Sequence, residues 1–339
     1  MDRYIKINEE STLYVGRATE LLDRVVPKGR VVVITDANID RLYPDLVHCY
    51  DYIIIGQGEG VKSLQTVERV YRELMAMGAD RSTFILGIGG GIVTDIAGFV
   101  AATYMRGIDF GFVSTTLLGQ VDASIGGKNG VNVADYKNMV GTFRQPRFVI
   151  SDVTMLKTLP VRELRAGMSE VVKSAIVGDV ELFNHLERVI TGELSHGNTE
   201  LMEEIILRAV VVKARIVAMD EREGGIRRLL NLGHTLGHAI EKCTREVNHG
   251  EAVAIGMSQI AHASVRCGML AEEDAQRIDT LLERLGFSLT LPINMVDVLR
   301  EVKHDKKKCN NVLKVVLPIK IGECIVREMT FDEFERLLK

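Results

Sequence analysis

The 339-residue sequence predicts an α/β domain of nucleotide-binding type over 1–159, followed by a mostly α-helical domain over 160–339. Three observations predict this. Short β-branched runs alternate with helical patterns through the first half, a glycine run sits between a strand and a helix, and the character changes at Leu159-Pro160. At about 150 residues per domain, the length also suits two domains, each able to bury a core.

The strand candidates are VVVIT (31–35), YIII (52–55), FILGI (84–88), FGFVST (110–115) and RFVIS (147–151). Each is nearly continuous in apolar character, as strands buried on both faces are. Helical stretches such as Ser63–Met77 separate several of them, so the pattern implies a parallel sheet with crossover helices. Phe84 to Met105 carries a single charge, Asp95, and could be taken for a membrane span. Its five glycines divide it instead into strand, turn and helix.

After Pro160, ELRAGMSEVVKSAIV, ELMEEIILRAVVVKARIVAMDE, HTLGHAIEKC and Ala271–Leu285 read as helices, and only LKVVLPIKIG near 313–322 resembles strand. The basic run Lys303–Lys308 is the one dense charge cluster and fits a solvated face.

Composition narrows the function classes. Forty-two Lys+Arg against 46 Asp+Glu give a net charge of −4, which lacks the basic footprint of a nucleic-acid or membrane-surface binder. Trp is absent and aromatics are 5%, too sparse for a base-stacking platform. Cys49, Cys243, Cys267, Cys309 and Cys324 form no CxxC pair and are odd in number. That opposes both a disulfide framework and a cysteine zinc knot and suits a reducing cytoplasm. The first sixteen residues lack the apolar stretch of a signal peptide.

Three constellations carry candidate chemistry. In the first, Gly87-Ile-Gly89-Gly90-Gly91-Ile92-Val93-Thr94-Asp95 places backbone N–H groups at a helix N-terminus, where a pyrophosphate can approach without side-chain obstruction. Ile92 breaks the G-x-G-x-x-G pattern, so a plain tight turn is an equal reading. Asp36 and Asn38, beyond the first predicted strand, could meet a ribose or adenine, although a solvated turn explains them too.

In the second, three of the eight histidines fall in Asn231-Leu-Gly-His234-Thr-Leu-Gly-His238…Asn-His249-Gly-Glu251. His234 and His238 are spaced i, i+4, so one helix face presents both imidazoles to a single cation. The HExxH glutamate is missing, but Glu170 in MSEVVK supplies a carboxylate, with Lys173 at i+3. A metal site and satisfied core histidines both remain open on spacing alone. The third is a set of cations on an apolar or glycine-rich background: Arg106, Lys128, Lys137, Lys173, Lys213 and Arg227. Burying such groups unpaired is costly, so the pattern points to binding of an anionic substrate.

Together these motifs resemble the 3-dehydroquinate synthase family. GGGIVTDIAGFVAATYMRG, STTLLGQVDASIGGKNGVN, KNMVGTF, LKTLP, MSEVVK, RLLNLGHTLGHAIE, NHGEAVAIGM and HDKK follow in family order from about residue 31 to 322. The resemblance implies a Rossmann-like NAD-binding α/β domain, a helical metal-binding domain, a cleft between them, and a homodimer. It implies Glu170, His234 and His249 as ligands of Zn2+ or Co2+, which makes His238 a substrate and proton-relay residue. Asp36, Asn38, Glu59, Lys62, Gly91, Ile92, Val93, Thr94, Asp95, Thr115 and Thr116 match cofactor positions, joined by Lys128 and Lys137. Asp122, Lys128, Lys137, Asn138, Lys173, Lys213, Arg227, Asn231 and Lys306 match substrate-site positions, and Lys307 competes with Lys306 for the last. Arg106 matches an arginine that reaches the partner subunit's substrate phosphate.

The implied reaction converts 3-deoxy-D-arabino-heptulosonate 7-phosphate (DAHP) to 3-dehydroquinate and phosphate, in the shikimate pathway to aromatic amino acids. NAD oxidises C5 transiently, phosphate leaves with the C6 proton, the hydride returns, and ring opening and an aldol closure give the carbocycle. Gly56–Lys62 is richer in glycine than the family's usual form. Alternatives are another sugar-phosphate cyclase (2-deoxy-scyllo-inosose or epi-valiolone synthase type), a metal-dependent polyol dehydrogenase of the glycerol dehydrogenase type, and a non-catalytic metabolite-binding protein.

Overall fold

A computed structural model describes residues 3–134, 136–190, 198–306 and 312–338, the side chains of 305 and 306 excepted. The chain divides into two compact units: Met1–Pro160 with His196–Leu207, and Val161–Ser195 with Arg208–Lys339. The second unit is therefore discontinuous in sequence. The start of helix Thr199–Met219 groups with the first unit, where Glu203 pairs with Arg3 at 3.1 Å.

In the first unit, strands β1 (Arg3–Lys6), β2 (Thr12–Val15), β3 (Val31–Thr35), β4 (Asp51–Ile54), β5 (Phe84–Gly89) and β6 (Phe110–Ser114) precede the hairpin strands β7 (Lys128–Val133) and β8 (Tyr136–Phe143), and β9 (Phe148–Ser151) follows. The main sheet has the order β1-β2-β9-β6-β5-β3-β4. Only β1 and β2 pair antiparallel within it; every other neighbour is parallel. The β-branched runs explain this core. Val32, Val33, Ile34, Ile85, Leu86 and Ile88 have no exposed surface, because helices cover both faces of a parallel sheet.

Strand order reverses between β3 and β5: the chain leaves β3 for the β4 edge and leaves β5 for β6. Ligand crevices of open α/β sheets form at such a switch point, beyond the carboxyl ends of the strands. Those ends are in register here, Thr35 beside Ile88, with the Thr35 hydroxyl donating to the Ile88 carbonyl at 2.8 Å. Asp36 and Gly89–Gly91 therefore leave the sheet side by side.

The window Phe84–Met105 is β5 followed by helix Gly91–Thr103, as its glycines predict, and among the described residues no helix is long and apolar enough to cross a membrane. Five strands escaped the sequence pattern. β1, β2 and the β7–β8 hairpin are short, polar or glycine-bearing, and β11 (Glu323–Thr330), antiparallel to β10 (Val312–Lys320), has its apolar run Cys324–Val326 followed by charged Arg327 and Glu328. Strand pairing rather than apolar continuity makes them strands.

The second unit is built on helices Val161–Gly178, His234–Cys243 and His249–Arg266. Glycines let them approach closely. A Cβ on Gly250 would lie 2.3 Å from Ala166 Cα, and one on Gly256 would lie 2.1 Å from the Gly233 carbonyl oxygen. Both obstacles are backbone, so a side chain there must part the helices.

Gly250→Ala and Gly256→Ala are accordingly expected to cost about 1–3 kcal/mol through overpacking, read as a lower thermal unfolding midpoint. Gly60→Ala, with nothing within 4 Å of its Cβ position, serves as the neutral control.

Candidate functional site

At the switch point, the Asp36 carboxylate caps helix Ala37–Leu42, accepting from the N–H of Asn38 at 2.8 Å and of Ile39 at 3.1 Å. Gly90 occupies the N-cap of helix Gly91–Thr103 with no side chain to occupy the first donors. The helix therefore presents its first N–H groups and the positive end of its dipole. Close packing demands the glycines as well. A Cβ on Gly89 would lie 2.5 Å from Val93 Cγ2, and one on Gly90 would lie 2.9 Å from Thr116 Cγ2. The Thr115 N–H donates to the Gly89 carbonyl at 3.0 Å, which brings the turn after β6 to the same place.

Behind this turn, buried Lys62 pairs with Asp95 and donates to the Asn138 side chain at 2.6 Å. The Asn138 N–H donates to Asn132 at 2.8 Å, and Asn132 donates to Glu59 at 2.7 Å. One network thus gathers Glu59, Lys62, Asp95 and Asn138. Asp122 lies half-buried in the turn Gly119–Ala123, while Lys128 and Lys137 sit exposed on the hairpin. Arg106 is exposed at a sharp bend where Met105 (φ 48°) and Arg106 (φ 71°) both take the left-handed conformation, unusual for residues with a Cβ.

In the second unit the structure brings Glu170, His234 and His249 together, one from each of the three close-packed helices. Glu170 is 1% exposed and pairs with Lys173 one turn later. His234 Nε2 lies 3.5 Å from Glu170 Oε1, and His249 Nε2 lies 3.4 Å from the same oxygen. Metal bonds of about 2.1 Å at tetrahedral angles separate ligand atoms by about 3.4 Å, so the spacing suits Zn2+ or a similar ion. The pair expected from i, i+4 spacing is not the pair that meets Glu170. His238 is exposed with its ring 5.2 Å from that of His234, and it groups instead with Glu241 and His249.

Both inward imidazoles are held from behind, His234 by Nδ1 at 3.1 Å from the Leu232 carbonyl and His249 by Nδ1 at 3.1 Å from Glu241. Asn248 and Glu251 form a reciprocal capping box that starts the His249 helix. Arg162, at the head of the Glu170 helix, binds Glu251 through contacts of 2.9 and 2.6 Å.

Burial pushes the His234 pKa down to about 3, helped by the Lys173 charge. Burial also disfavours charge on His249, but hydrogen bonds to Glu170 and Glu241 outweigh it and raise the pKa to about 10. A proton on His249 thus balances the carboxylates, in the place a cation would take.

Lys213 and Arg227 are buried, like Lys173. The Asp220 carboxylate organises the Arg227 loop, accepting N–H groups of Gly224 at 2.9 Å, Gly225 at 2.7 Å and Arg227 at 3.0 Å. These bonds hold its pKa below the ordinary carboxylate value. Arg227 donates to the Glu221 carbonyl, and Asn231 donates to the Glu223 side chain. Lys306 ends helix Met295–Lys306, but its side chain and all of Lys307 lie outside the described residues.

The models of the 3-dehydroquinate synthase N-terminal and C-terminal domains match residues 52–166 and 167–308. The chain belongs to the 3-dehydroquinate synthase family. It is similar to the 3-dehydroquinate synthase of Acinetobacter baylyi, 41% identical over 94% of this chain and 92% of that one. Among solved structures it is similar to a 2-epi-5-epi-valiolone synthase from Streptomyces hygroscopicus with NAD+ and Zn2+ bound (TM-score 0.85, 28% identity, covering 98% and 97% of the two chains). A 2-deoxy-scyllo-inosose synthase complexed with carbaglucose-6-phosphate, NAD+ and Co2+ shares the fold (TM-score 0.86, 24% identity, 100% and 99% covered).

Family motifs named the inward histidines; Arg162, Asp220, Glu241 and Glu251 escaped sequence reasoning. Their partners lie up to 89 positions away, although Asn248-x-x-Glu251 is a legible capping box.

His249 must release its proton before Nε2 can bind a metal. A group held at about 10 is protonated at neutral pH, so cation binding at pH 7 is expected to release about one proton, and affinity to tighten about tenfold per pH unit up to near pH 10. Calorimetry in buffers of different ionisation enthalpy measures this. His234 has the opposite sign. Its depressed pKa contributes stability above about 6.5 that is lost as the pH of metal-free protein falls toward 3.

Proposed function

We propose that this chain is a working 3-dehydroquinate synthase, a carbocycle-forming phosphorus–oxygen lyase that converts DAHP to 3-dehydroquinate and phosphate. The carrying observation is the grouping of Glu170, His234 and His249 beside the buried ion-paired Lys173, in a chain whose family match runs from residue 52 to 308.

Two groups complete the chemistry. Glu170, His234 and His249 would hold one divalent ion, Zn2+ or Co2+, which when bound lends Lewis acidity to the substrate hydroxyls. NAD would supply a reversible hydride acceptor for C5 of the substrate, with no net redox over the turnover. The chain's residues position and neutralise. The helix N-terminus at Gly91–Thr94 would hold the pyrophosphate, while Asp36, Asn38, Glu59, Lys62, Asp95, Thr115 and Thr116 would orient the rest of the cofactor.

Buried Lys173, Lys213 and Arg227, with Asn231, bind the substrate's carboxylate and hydroxyls, where low dielectric strengthens each contact. Lys128, Lys137, Asn138, Asp122 and Lys306 complete the substrate contacts. His238, exposed beside His234, exchanges protons with the substrate oxygens. The substrate's own phosphate takes the C6 proton as it leaves, so no strong protein base is needed there.

The same reading makes the protein a cytoplasmic homodimer of the shikimate pathway. Free thiols at Cys49, Cys243, Cys267 and Cys324 suit a reducing compartment. The left-handed bend at Met105–Arg106 holds Arg106 outward, as an arginine serving the partner's phosphate site requires.

Purified protein with DAHP, Zn2+ and catalytic NAD is expected to release phosphate without accumulating NADH. Stoichiometric NADH from a polyol would instead identify a dehydrogenase. Arg106→Ala and His249→Ala should each abolish activity, and mixing the two after subunit exchange should restore part of it; no restoration places Arg106 in its own subunit's site.

A further inference from the structure

We infer that Glu241 is the positioning residue of the metal site, fixing the tautomer and ring plane of His249 through its Nδ1. The inference rests on the proposed metal site and extends it to a residue outside the ligand set.

His234 and Glu241 are seven positions apart, two turns along one face of helix His234–Cys243. This single helix therefore provides one inward imidazole and the carboxylate behind the other. His249 lies between two carboxylates, with Nε2 3.4 Å from Glu170 Oε1 and Nδ1 3.1 Å from Glu241 Oε2. A neutral imidazole has one N–H and one lone pair. With the N–H donated to Glu241, the lone pair must lie on Nε2, facing Glu170 and His234. The Glu241 side chain is only 9% exposed, so water competes weakly for that bond.

His234 meets the same requirement differently, with Nδ1 bonded to the Leu232 backbone carbonyl. One inward nitrogen is thus held by a carbonyl no substitution removes and the other by a replaceable side chain. An anionic acceptor also makes the imidazole a stronger donor to a cation, and loss of such partners typically weakens metal binding about 10–100-fold. Helix packing alone does not supply this. The capping box and Arg162 set where His249 begins its helix but leave ring rotation about χ1 and χ2 open.

Full-length protein stripped of metal and titrated with Co2+ against a competing chelator tests the assignment, with the visible cobalt spectrum as a second readout. Glu241→Ala is expected to bind Co2+ about 10–100-fold more weakly than wild type with an altered spectrum. Glu241→Gln, which keeps an acceptor but loses the charge, should fall between. Wild-type affinity and spectrum in both variants would overturn the proposal. So would two Co2+ equivalents in wild type and one of unchanged affinity in Glu241→Ala, which would make Glu241 a ligand of a second ion with His238 and His249. Failure of wild type itself to bind stoichiometric Co2+ would overturn the metal site beneath it.

Discussion

The second unit depends on the backbone-to-backbone approach of three helices at Gly250, Gly256 and Gly233. A helix normally stands about 8–10 Å from its neighbour because side chains fill the gap. With glycine opposite Ala166, and glycine opposite the turn before His234, the helices close until ligand-bearing residues from all three meet around one carboxylate. The residues next to these contacts are the functional ones, His249 beside Gly250 and His234 beside Gly233. Packing and chemistry are therefore one constraint, since any change in helix separation moves an imidazole off Glu170.

That closeness has an electrostatic consequence. Glu170 is almost fully removed from water, and an isolated buried carboxylate is strongly disfavoured. Lys173 and the two imidazoles surround it, and removing Lys173 or the protonated His249 leaves charge uncompensated in a low-dielectric place. The opposite pKa shifts of His234 and His249 express the same balance. One imidazole is excluded from protonation by burial and the Lys173 charge, while the other lies between two carboxylates. A site tuned in this way binds a cation in exchange for a proton.

In the first unit the same economy appears in a sheet. Reversal of strand order between β3 and β5 leaves two strand ends adjacent, and glycine at 89 to 91 leaves the following helix terminus without side chains. The lysine-centred network around Asp95 ties the 59–62 segment and the hairpin residue Asn138 to that helix, so groups distant in sequence share one set of hydrogen bonds.

Much of this was legible in the residues. Val31–Thr35, Phe84–Gly89 and Phe110–Ser114 announce buried parallel strands because a strand covered on both faces needs apolar side chains at every position. Ser63 and Met77 bracket the helix Leu64–Ala76 as its caps. The glycine turn and the histidine motif declared themselves by composition. Local pattern went astray where partners are remote. HxxxH spacing marked His238 as readily as His234, whereas the family motifs pointed to His249, which the fold brings to Glu170 from the start of the next helix. Arg162 gave no local signal, since its partner Glu251 lies 89 positions away, and Glu241 and Asp220 bond across turns whose course no periodic pattern marks. By itself, the sequence determined which segments are strands and helices and which residue types are available for phosphate, metal and anion chemistry, because periodicity and composition are local properties. The tertiary structure alone decided which nitrogen of each inward histidine faces the carboxylate and what holds it there, because those depend on distances between helices that no spacing along the chain encodes.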